Sequence, residues 1–476
     1  MIPARSFKGK TVAVFGLART GLGAVASLAA GGARVIAWDD SSAARDLGGQ
    51  AGAEPTPWRE WDWQQIAALV LSPGVPLTHP KPHEVVVHAK QAGVPVIGDV
   101  ELFAREIRPD PAGKGLAPVI AITGTNGKST TTALIGHVLK TCGFDVQVGG
   151  NIGKSVLELE QPASREKSAK TVYVLEMSSF QIDLAPGLVP DIGVLSNLSP
   201  DHLDRHGTME NYAAIKERLM RQTAPGGQVV IGVDDDHSAA IFTRLSVAGG
   251  AAAVPVAVGK VLGRGVFVVD GALYDARNGR AAKVMEMAAA PRLPGAHNWQ
   301  NAALAFGAVM PLVEDRAAIA AAIASFPGLA HRMEDVGARG KVRFINDSKA
   351  TNADATARAL AVWPDIFWIA GGKPKEGGIE SLSAFFPHVR RAYLIGEAAG
   401  GFGRTLDGKV PYEGSATLDV ALARAATDAA NSPAPAPVVL LSPACASYDQ
   451  FKDFEHRGDV FRALVAGLSC KTEAAQ

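Results

Sequence analysis

Cysteine is scarce in this 476-residue chain: Cys142, Cys445 and Cys470 make up the whole set, and no two form a C-x-x-C pair. A sparse, odd set excludes a disulfide framework and points to a reducing, intracellular setting. Neither sign of charge is in excess, because 47 lysines and arginines face 47 aspartates and glutamates. That balance argues against nucleic acid or an anionic membrane surface as the main partner, while local phosphate sites stay open. Long uncharged apolar runs are missing too, so no segment reads as a membrane span. Lys8 and Lys10 precede the apolar stretch 11–16, but Arg19 interrupts it, and the segment reads as a first strand entering a glycine turn rather than a secretion signal. The expected location is the cytoplasm. What is present, 47% hydrophobic and 20% charged residues, is ordinary for a globular chain, and the length is too great for one core.

The stretch that organises the rest is Gly124-Thr125-Asn126-Gly127-Lys128-Ser129-Thr130. It follows the apolar run 118–122 and precedes residues whose apolar positions 134, 135, 138 and 139 recur at helical spacing. Strand, glycine loop and helix start form a phosphate cradle, with backbone N–H groups aimed at an anion. Lys128 offers a mobile positive charge to the outer phosphates, and the Ser129 hydroxyl suits a magnesium ion. Ile122 stands where the common motif has its first glycine, so this loop is a shorter relative. It reads as a nucleoside triphosphate site.

Upstream, residues 11–15, a turn containing Gly16, Gly21 and Gly23, and a second strand ending at Asp39 form a βαβ unit. The strict G-x-G-x-x-G is absent, and a βα turn without a ligand fits as well as a dinucleotide site. A strand 68–71 runs into Ser72-Pro73-Gly74-Val75. Breaker-rich 109–113 closes the first domain and 326–329 the second. Between them, strands 172–176 and 192–195 end in Glu176 and in the loop 196–206, a helix at about 209–221 carries Lys216, and 226–296 reads as short strands and turns. Strands 342–345, 367–370, 392–395 and 438–441 make a third α/β sheet.

Glu176, at a strand end downstream of the phosphate loop, suits magnesium. His202 and His206 are four apart, which on a helix would suit zinc, but Pro200 and Gly207 argue for a loop there and no third ligand stands nearby. Lys216 by spacing alone is a solvated lysine, and Cys445 a packed small side chain. Arg332, Asp347, Lys349 and Lys373 share strand-end loops able to bring cations and a carboxylate to a triphosphate.

These motifs, in this order, resemble the ATP-dependent Mur ligases of peptidoglycan precursor synthesis across nearly the whole chain. Within that family, 175–181, 346–352 and 442–451 with Phe454 and Arg457-Gly458 resemble the D-glutamate-adding members. The resemblance implies an α/β fold of three domains: a Rossmann-like UDP-binding domain (1–112), a P-loop-type ATPase domain (113–328) and a Rossmann-like amino-acid-binding domain (329–476). It implies ATP and magnesium (Mg2+), with UDP-N-acetylmuramoyl-L-alanine and D-glutamate as substrates, in a monomer. ATP would make an acyl phosphate that the D-glutamate amine attacks.

By residue, the resemblance assigns Lys128, His202 and Lys216 to catalysis, with Lys216 in the place of a carbamylated lysine. Asn298, Arg332 and Asp347 join Gly124 to Thr130 on ATP, while Ser129, Glu176, His202 and carbamylated Lys216 hold metal. Leu17, Thr20, Asp39, Ser72, Pro73, Gly74, Val75, Asn151 and His202 face the UDP substrate; Thr351, Lys375, Ser447, Tyr448 and Phe454 face D-glutamate. Tyr448 stands where leucine is expected, and the loop after Gly371-Gly372 leaves Lys373 and Lys375 as alternatives for the side-chain carboxylate. The competing readings are another ligase of the superfamily, including a folylpolyglutamate type, an NAD-dependent oxidoreductase with Asp39 on the ribose, and a non-catalytic nucleotide switch.

Overall fold

The strands of this chain are short, nearly continuous apolar runs, the pattern expected when a parallel sheet is covered on both faces. A computed structural model describes residues 1–107, 117–162, 170–374 and 377–468. It divides into two compact units: Met1–Ala290 with Asn298–Phe326, and Pro291–His297 with Pro327–Gln476. The expected boundary at 112–113 falls outside the described residues.

The first unit holds two sheets. One is a five-stranded, all-parallel sheet of β1 (Thr11–Phe15), β2 (Arg34–Trp38), β3 (Glu54–Pro55), β4 (Ile66–Leu71) and β5 (Val96–Ile97), ordered β3-β2-β1-β4-β5. From β1 the chain goes one way to β2 and β3, then returns to β4 on the other side. This reversal opens a crevice where the β1 and β4 carboxyl ends meet, the usual ligand position in such sheets. The Cα of Gly16, at φ 88°, stands in that crevice, where a Cβ would press on Ser72.

The other sheet has nine strands: β6 (Val119–Thr123), β7 (Asp145–Gly150), β8 (Thr171–Glu176), β9 (Ile192–Leu195), β10 (Gln228–Gly232), β11 (Ala252–Val258), β12 (Val266–Val269), β13 (Ala272–Asp275) and β14 (Ala282–Glu286). Its order is β14-β13-β12-β11-β10-β9-β6-β8-β7, with antiparallel pairing at β12-β13 and β13-β14. β6 and β8 are buried along their whole lengths, and each fully buried valine, leucine or isoleucine is worth about 1.5–3 kcal/mol relative to exposure. β6 lies between β8 and β9, so its carboxyl end, where the phosphate loop begins, is again a point of reversal.

Two local expectations change. Residues 226–296 hold a full helix, Asp236–Ala248, besides the strands; Asp235 caps it by accepting from Ser238 N at 2.8 Å. The expected loop around His202 to His206 contains a single helical turn, Leu203–His206, between a left-handed His202 (φ 53°) and Gly207 (φ 78°). Asn211 Nδ2 closes that turn by donating to His206 O at 3.1 Å.

The second unit carries one six-stranded sheet of β15 (Glu334–Arg339), β16 (Val342–Asn346), β17 (Ile366–Gly371), β18 (Val389–Ile395), β19 (Tyr412–Ala416) and β20 (Val438–Leu441). The order is β15-β16-β20-β17-β18-β19, with only β15-β16 antiparallel. Because β20 inserts between β16 and β17, the loops after these three strands stand side by side. Among the described residues no helix is long and apolar enough to cross a membrane.

Candidate active site

In the first unit the phosphate loop is held from below by the segment after β9. Asn126 N donates to Asn197 Oδ1 at 3.0 Å, Ser196 Oγ to Asn126 O at 2.6 Å, and Ser199 N to Thr125 Oγ1 at 3.0 Å. Gly124, at φ 145°, sits so close to Ser196 that a Cβ would overlap its hydroxyl. Only glycine fits there. Gly127 is left-handed and caps the helix Lys128–Thr141, whose first turn places Ser129 and Thr130. Lys128 Nζ donates to Gly124 O at 3.0 Å and Thr125 O at 2.7 Å. Asn298 Oδ1 accepts from Asn301 Nδ2 at 3.2 Å, and Asn301 Oδ1 accepts from Thr131 Oγ1, which ties Asn298 to the helix that starts at the loop.

Lys216 is fully buried on the helix Met209–Arg221. Its Nζ donates to Thr123 Oγ1 at 3.1 Å and Gly124 O at 3.0 Å, and lies 4.7 Å from the Tyr212 ring centroid. Burial first, then the nearby charge of Lys128, hold its amine well below the ordinary lysine range, with Asp201 and Glu176 pulling weakly the other way. Desolvation thus favours the neutral form of the amine, the form with a free electron pair.

Glu176, at the end of β8, is almost wholly buried. Its Oε1 accepts from Asn151 Nδ2 at 2.8 Å, whereas Oε2 is buried with no hydrogen-bond partner. A buried carboxylate oxygen left this way is costly unless a cation meets it. With the Ser129 hydroxyl it offers the hard oxygen donors that magnesium prefers, so these residues fit the expected metal. Among the described residues no group of three or more His, Cys, Asp or Glu side chains could hold a metal unaided.

Between the two sheets of this unit lies a cavity of about 340 Å³, lined by Thr20, Ser72, Pro73, Gly74 and Asn151, together with Arg19, Ser155 and Phe180. Five of the residues expected to face the UDP substrate thus line one cavity. Leu17 is buried in the core and gives its N–H to Asp39 Oδ2 at 2.7 Å; Asp39 Oδ1 accepts from Ser41 N at 2.9 Å. Val75 faces a smaller neighbouring pocket with Phe180, Arg205 and His206.

His202 and His206 take different roles. His206 is buried, shares a hydrogen bond with Ser179 Oγ at 2.9 Å and stacks on Phe180. His202 is half exposed, with Nε2 3.5 Å from Asp201 Oδ2; burial holds its imidazole below the usual range, Asp201 opposes this, and Lys128 and Lys216 add to it.

In the second unit the three adjacent loops meet on Arg457, which is completely buried. Its guanidinium donates to Ser348 Oγ (3.0 Å), Ser348 O (2.9 Å), Cys445 O (3.1 Å) and Ala446 O (3.3 Å), while Lys373 pairs with Ala446. Asp347 accepts from Met333 N at 3.1 Å and from Ser442 Oγ at 2.8 Å. Burial pushes its carboxyl up to about 7, against the pull of those two bonds and of Arg332. Lys349 Nζ lies 3.6 Å from the Phe454 ring centroid, and Ser348 Oγ donates to Phe454 O. Ser447 is buried, Thr351 is half-buried and Tyr448 is 70% exposed. Lys375 lies outside the described residues. Left-handed His331, Met333 and Ala444 flank these loops, a backbone cost that recurs at functional sites.

Sequence reading gives Arg205 no role and has Arg457 only as part of the family resemblance, without a role, because their partners are mostly backbone carbonyls distant along the chain, which no spacing encodes.

Residues 122–309 match the Mur ligase middle domain. The chain is 51% identical over 469 residues to the UDP-N-acetylmuramoylalanine--D-glutamate ligase of Phenylobacterium zucineum (strain HLK1), covering 98% of each chain. It is 55% identical over 472 residues to the protein of the same name from Brucella abortus (strain 2308), again with 98% coverage of each. Among solved structures it is similar to the UDP-N-acetylmuramate-alanine ligase of Thermotoga maritima, with a TM-score of 0.56 and 17% identity over 98% of this chain and 100% of that one. A UDP-N-acetylmuramoyl-L-alanyl-D-glutamate--2,6-diaminopimelate ligase gives 0.55 and 18% over 98% and 94%.

Proposed function

The chain belongs to the family of UDP-N-acetylmuramoylalanine--D-glutamate ligases, and from this premise we infer how its residues share the work of ATP-dependent amide formation. The enzyme joins D-glutamate to UDP-N-acetylmuramoyl-L-alanine in peptidoglycan precursor synthesis, through an acyl phosphate, with release of ADP and phosphate. The division of roles rests on one observation: the unpartnered Glu176 Oε2 and the buried Lys216, its amine held well below the ordinary lysine range, both lie beside the loop Gly124–Thr130.

Gly124 to Thr130 cradle the phosphates through backbone N–H groups, and Lys128 exchanges its loop carbonyls for the β- and γ-phosphoryl oxygens. Ser129 and Glu176 would hold one magnesium, and His202 with carbamylated Lys216 a second. Magnesium bound there neutralises charge that builds on the phosphoryl and acyl oxygens. Asn298, Arg332 and Asp347 are the further nucleotide-binding residues on this reading. Thr20, Ser72 to Val75 and Asn151 grip the UDP-linked substrate, with Leu17 and Asp39 fixing the shape of the β1 turn behind them. Thr351, Ser447, Tyr448 and Phe454 receive D-glutamate, and Lys373 or Lys375 meets its side-chain carboxylate. On this reading residues 1–112, 113–328 and 329–476 serve the UDP substrate, ATP and the amino acid in turn.

The test is phosphate release from ATP with UDP-N-acetylmuramoyl-L-alanine plus D-glutamate, L-glutamate or neither. Release is expected only with D-glutamate. Release with L-glutamate would overturn the stereochemical choice, and release indifferent to any acceptor would overturn the ligase roles.

A further inference from the structure

We propose that Arg205 is a positioning residue that fixes the Ser72–Val75 loop against the turn carrying His202, setting the UDP-linked substrate in register with its reacting end. The inference rests on the role given above to that loop. Arg205 donates from Nη1 to Gly74 O at 2.9 Å, and from Nη2 to Val75 O at 3.0 Å and Pro73 O at 3.3 Å. Its Cζ lies 4.7 Å from the Phe180 ring centroid, and the His202 ring lies 5.0 Å from the same ring. One guanidinium thus gathers three consecutive carbonyls while resting on the aromatic that supports His202. A planar fork can do this, and a point charge cannot.

The geometry on the loop side has a chemical consequence. The loop is closed by Val75 N donating to Ser72 O at 2.9 Å and anchored by Ser72 N donating to Phe15 O at 3.0 Å. In a planar trans peptide the C=O and the following N–H point in opposite directions. With Pro73 O turned to the guanidinium, the Gly74 N–H points away from it, and Gly74 lines the 340 Å³ cavity. A cation on the carbonyl side polarises this peptide and strengthens its N–H as a donor to a ligand oxygen.

On the turn side, His202 holds a left-handed backbone that surrounding contacts must impose. The turn is closed by Arg205 N and His206 N donating to His202 O at 3.0 and 3.1 Å and by Asn211 Nδ2 on His206 O, and it is tied to its surroundings by the His206–Ser179 hydrogen bond at one edge and the Arg205 guanidinium at the other. Loosening Arg205 frees both the loop and the orientation of His202.

The experiment compares R205M, R205K and the loop control S72A in the full-length enzyme. UDP-N-acetylmuramoyl-L-alanine binding is measured by calorimetry without ATP, and kcat and KM for each substrate are measured with unfolding midpoints. Charge-assisted hydrogen bonds of this kind set the expected loss at about tenfold or more for R205M in UDP-substrate binding and KM. KM for ATP stays within about twofold, R205K recovers part of the loss, and S72A also weakens the UDP substrate. In a His202→Asn background, R205M costs less in kcat/KM than it does in the wild type.

If R205M binds the UDP substrate like the wild type while S72A weakens it, Arg205 has no positioning role. A merely structural arginine would move the midpoint and all three KM values together. Additive losses with His202→Asn would sever the link to the reacting end. If S72A also binds like the wild type, the assignment of the loop fails first, and this inference fails with it.

Discussion

Lys216 Nζ donates to the carbonyl of Gly124, the first residue of the phosphate loop, at 3.0 Å from a fully buried position. Burial and the charge of Lys128 hold the amine well below the ordinary lysine range, which favours the neutral form, and a neutral amine is the form that adds CO2 to give a carbamate. The prediction is a carbamate carbon signal in 13C NMR of the enzyme under 13C-bicarbonate, absent in Lys216→Arg. That variant, which puts a guanidinium cation there and cannot form the carbamate, loses about a hundredfold or more in kcat. The same signal in both proteins would remove Lys216 from this role.

Glu176 supplies a second prediction. Its Oε1 is occupied by Asn151 while Oε2 has no partner. In Glu176→Gln the amide nitrogen falls at the Oε2 position, since Oε1 must still accept from Asn151, and that nitrogen repels a cation. Mn2+ as a magnesium probe, followed by electron paramagnetic resonance with a non-hydrolysable ATP analogue, is expected to bind about tenfold or more weakly. Unchanged Mn2+ binding would show that Glu176 is no ligand.

Asp347 links stability to pH. Its carboxyl moves from 3.8 to about 7 on folding, chiefly through burial. The folded state therefore holds a proton that the unfolded state has released. The stabilisation is fully present below the unfolded value and is lost as pH rises to about 7, with a ceiling of about 4 kcal/mol. Asp347→Asn stays neutral and keeps an oxygen for Met333 N. The variant's unfolding midpoint minus the wild type's is expected to be several degrees higher at pH 8 than at pH 5. A difference independent of pH would refute the shift.

Parallel strands were legible in the sequence because burial on both faces makes them unbroken apolar runs, as in 172–176 and 438–441. The phosphate loop was legible because its chemistry is local. Lys216 was legible only through the family resemblance: by spacing it reads as solvated, and its partners Thr123 and Gly124 stand at another strand end. The helix Asp236–Ala248 was hidden by the Gly and Asp clusters around it, although its Asp235 cap was in plain view. Family resemblance placed Asn151 on the UDP substrate; the structure adds that the same side chain orients Glu176. Arg457 stood in the motifs that carry the resemblance, but what it and Arg205 hold was hidden, because most of their partners are backbone carbonyls with no side-chain pattern to read.

Arg457 gives the last prediction. It is fully buried, and all four of its oxygen partners are neutral groups in the loops after β16 and β20. Burial lowers its guanidinium to about 10, so it stays charged at neutral pH. Arg457→Met leaves the carbonyls of Ser348 and Cys445 without this donor, while Ala446 O keeps Lys373 N, and each buried group left so costs about 1–3 kcal/mol. The cost falls on the loops that carry Lys349, Ser447 and Tyr448. Chemical denaturation of the full-length variant is therefore expected to show a loss of about 3 kcal/mol or more. Arg457→Lys, which keeps the charge but not the fork, is expected to fold and to show a KM for D-glutamate raised about tenfold, with KM for the UDP substrate unchanged. Equal increases in both KM values would mean that Arg457 supports the fold without shaping the acceptor loops.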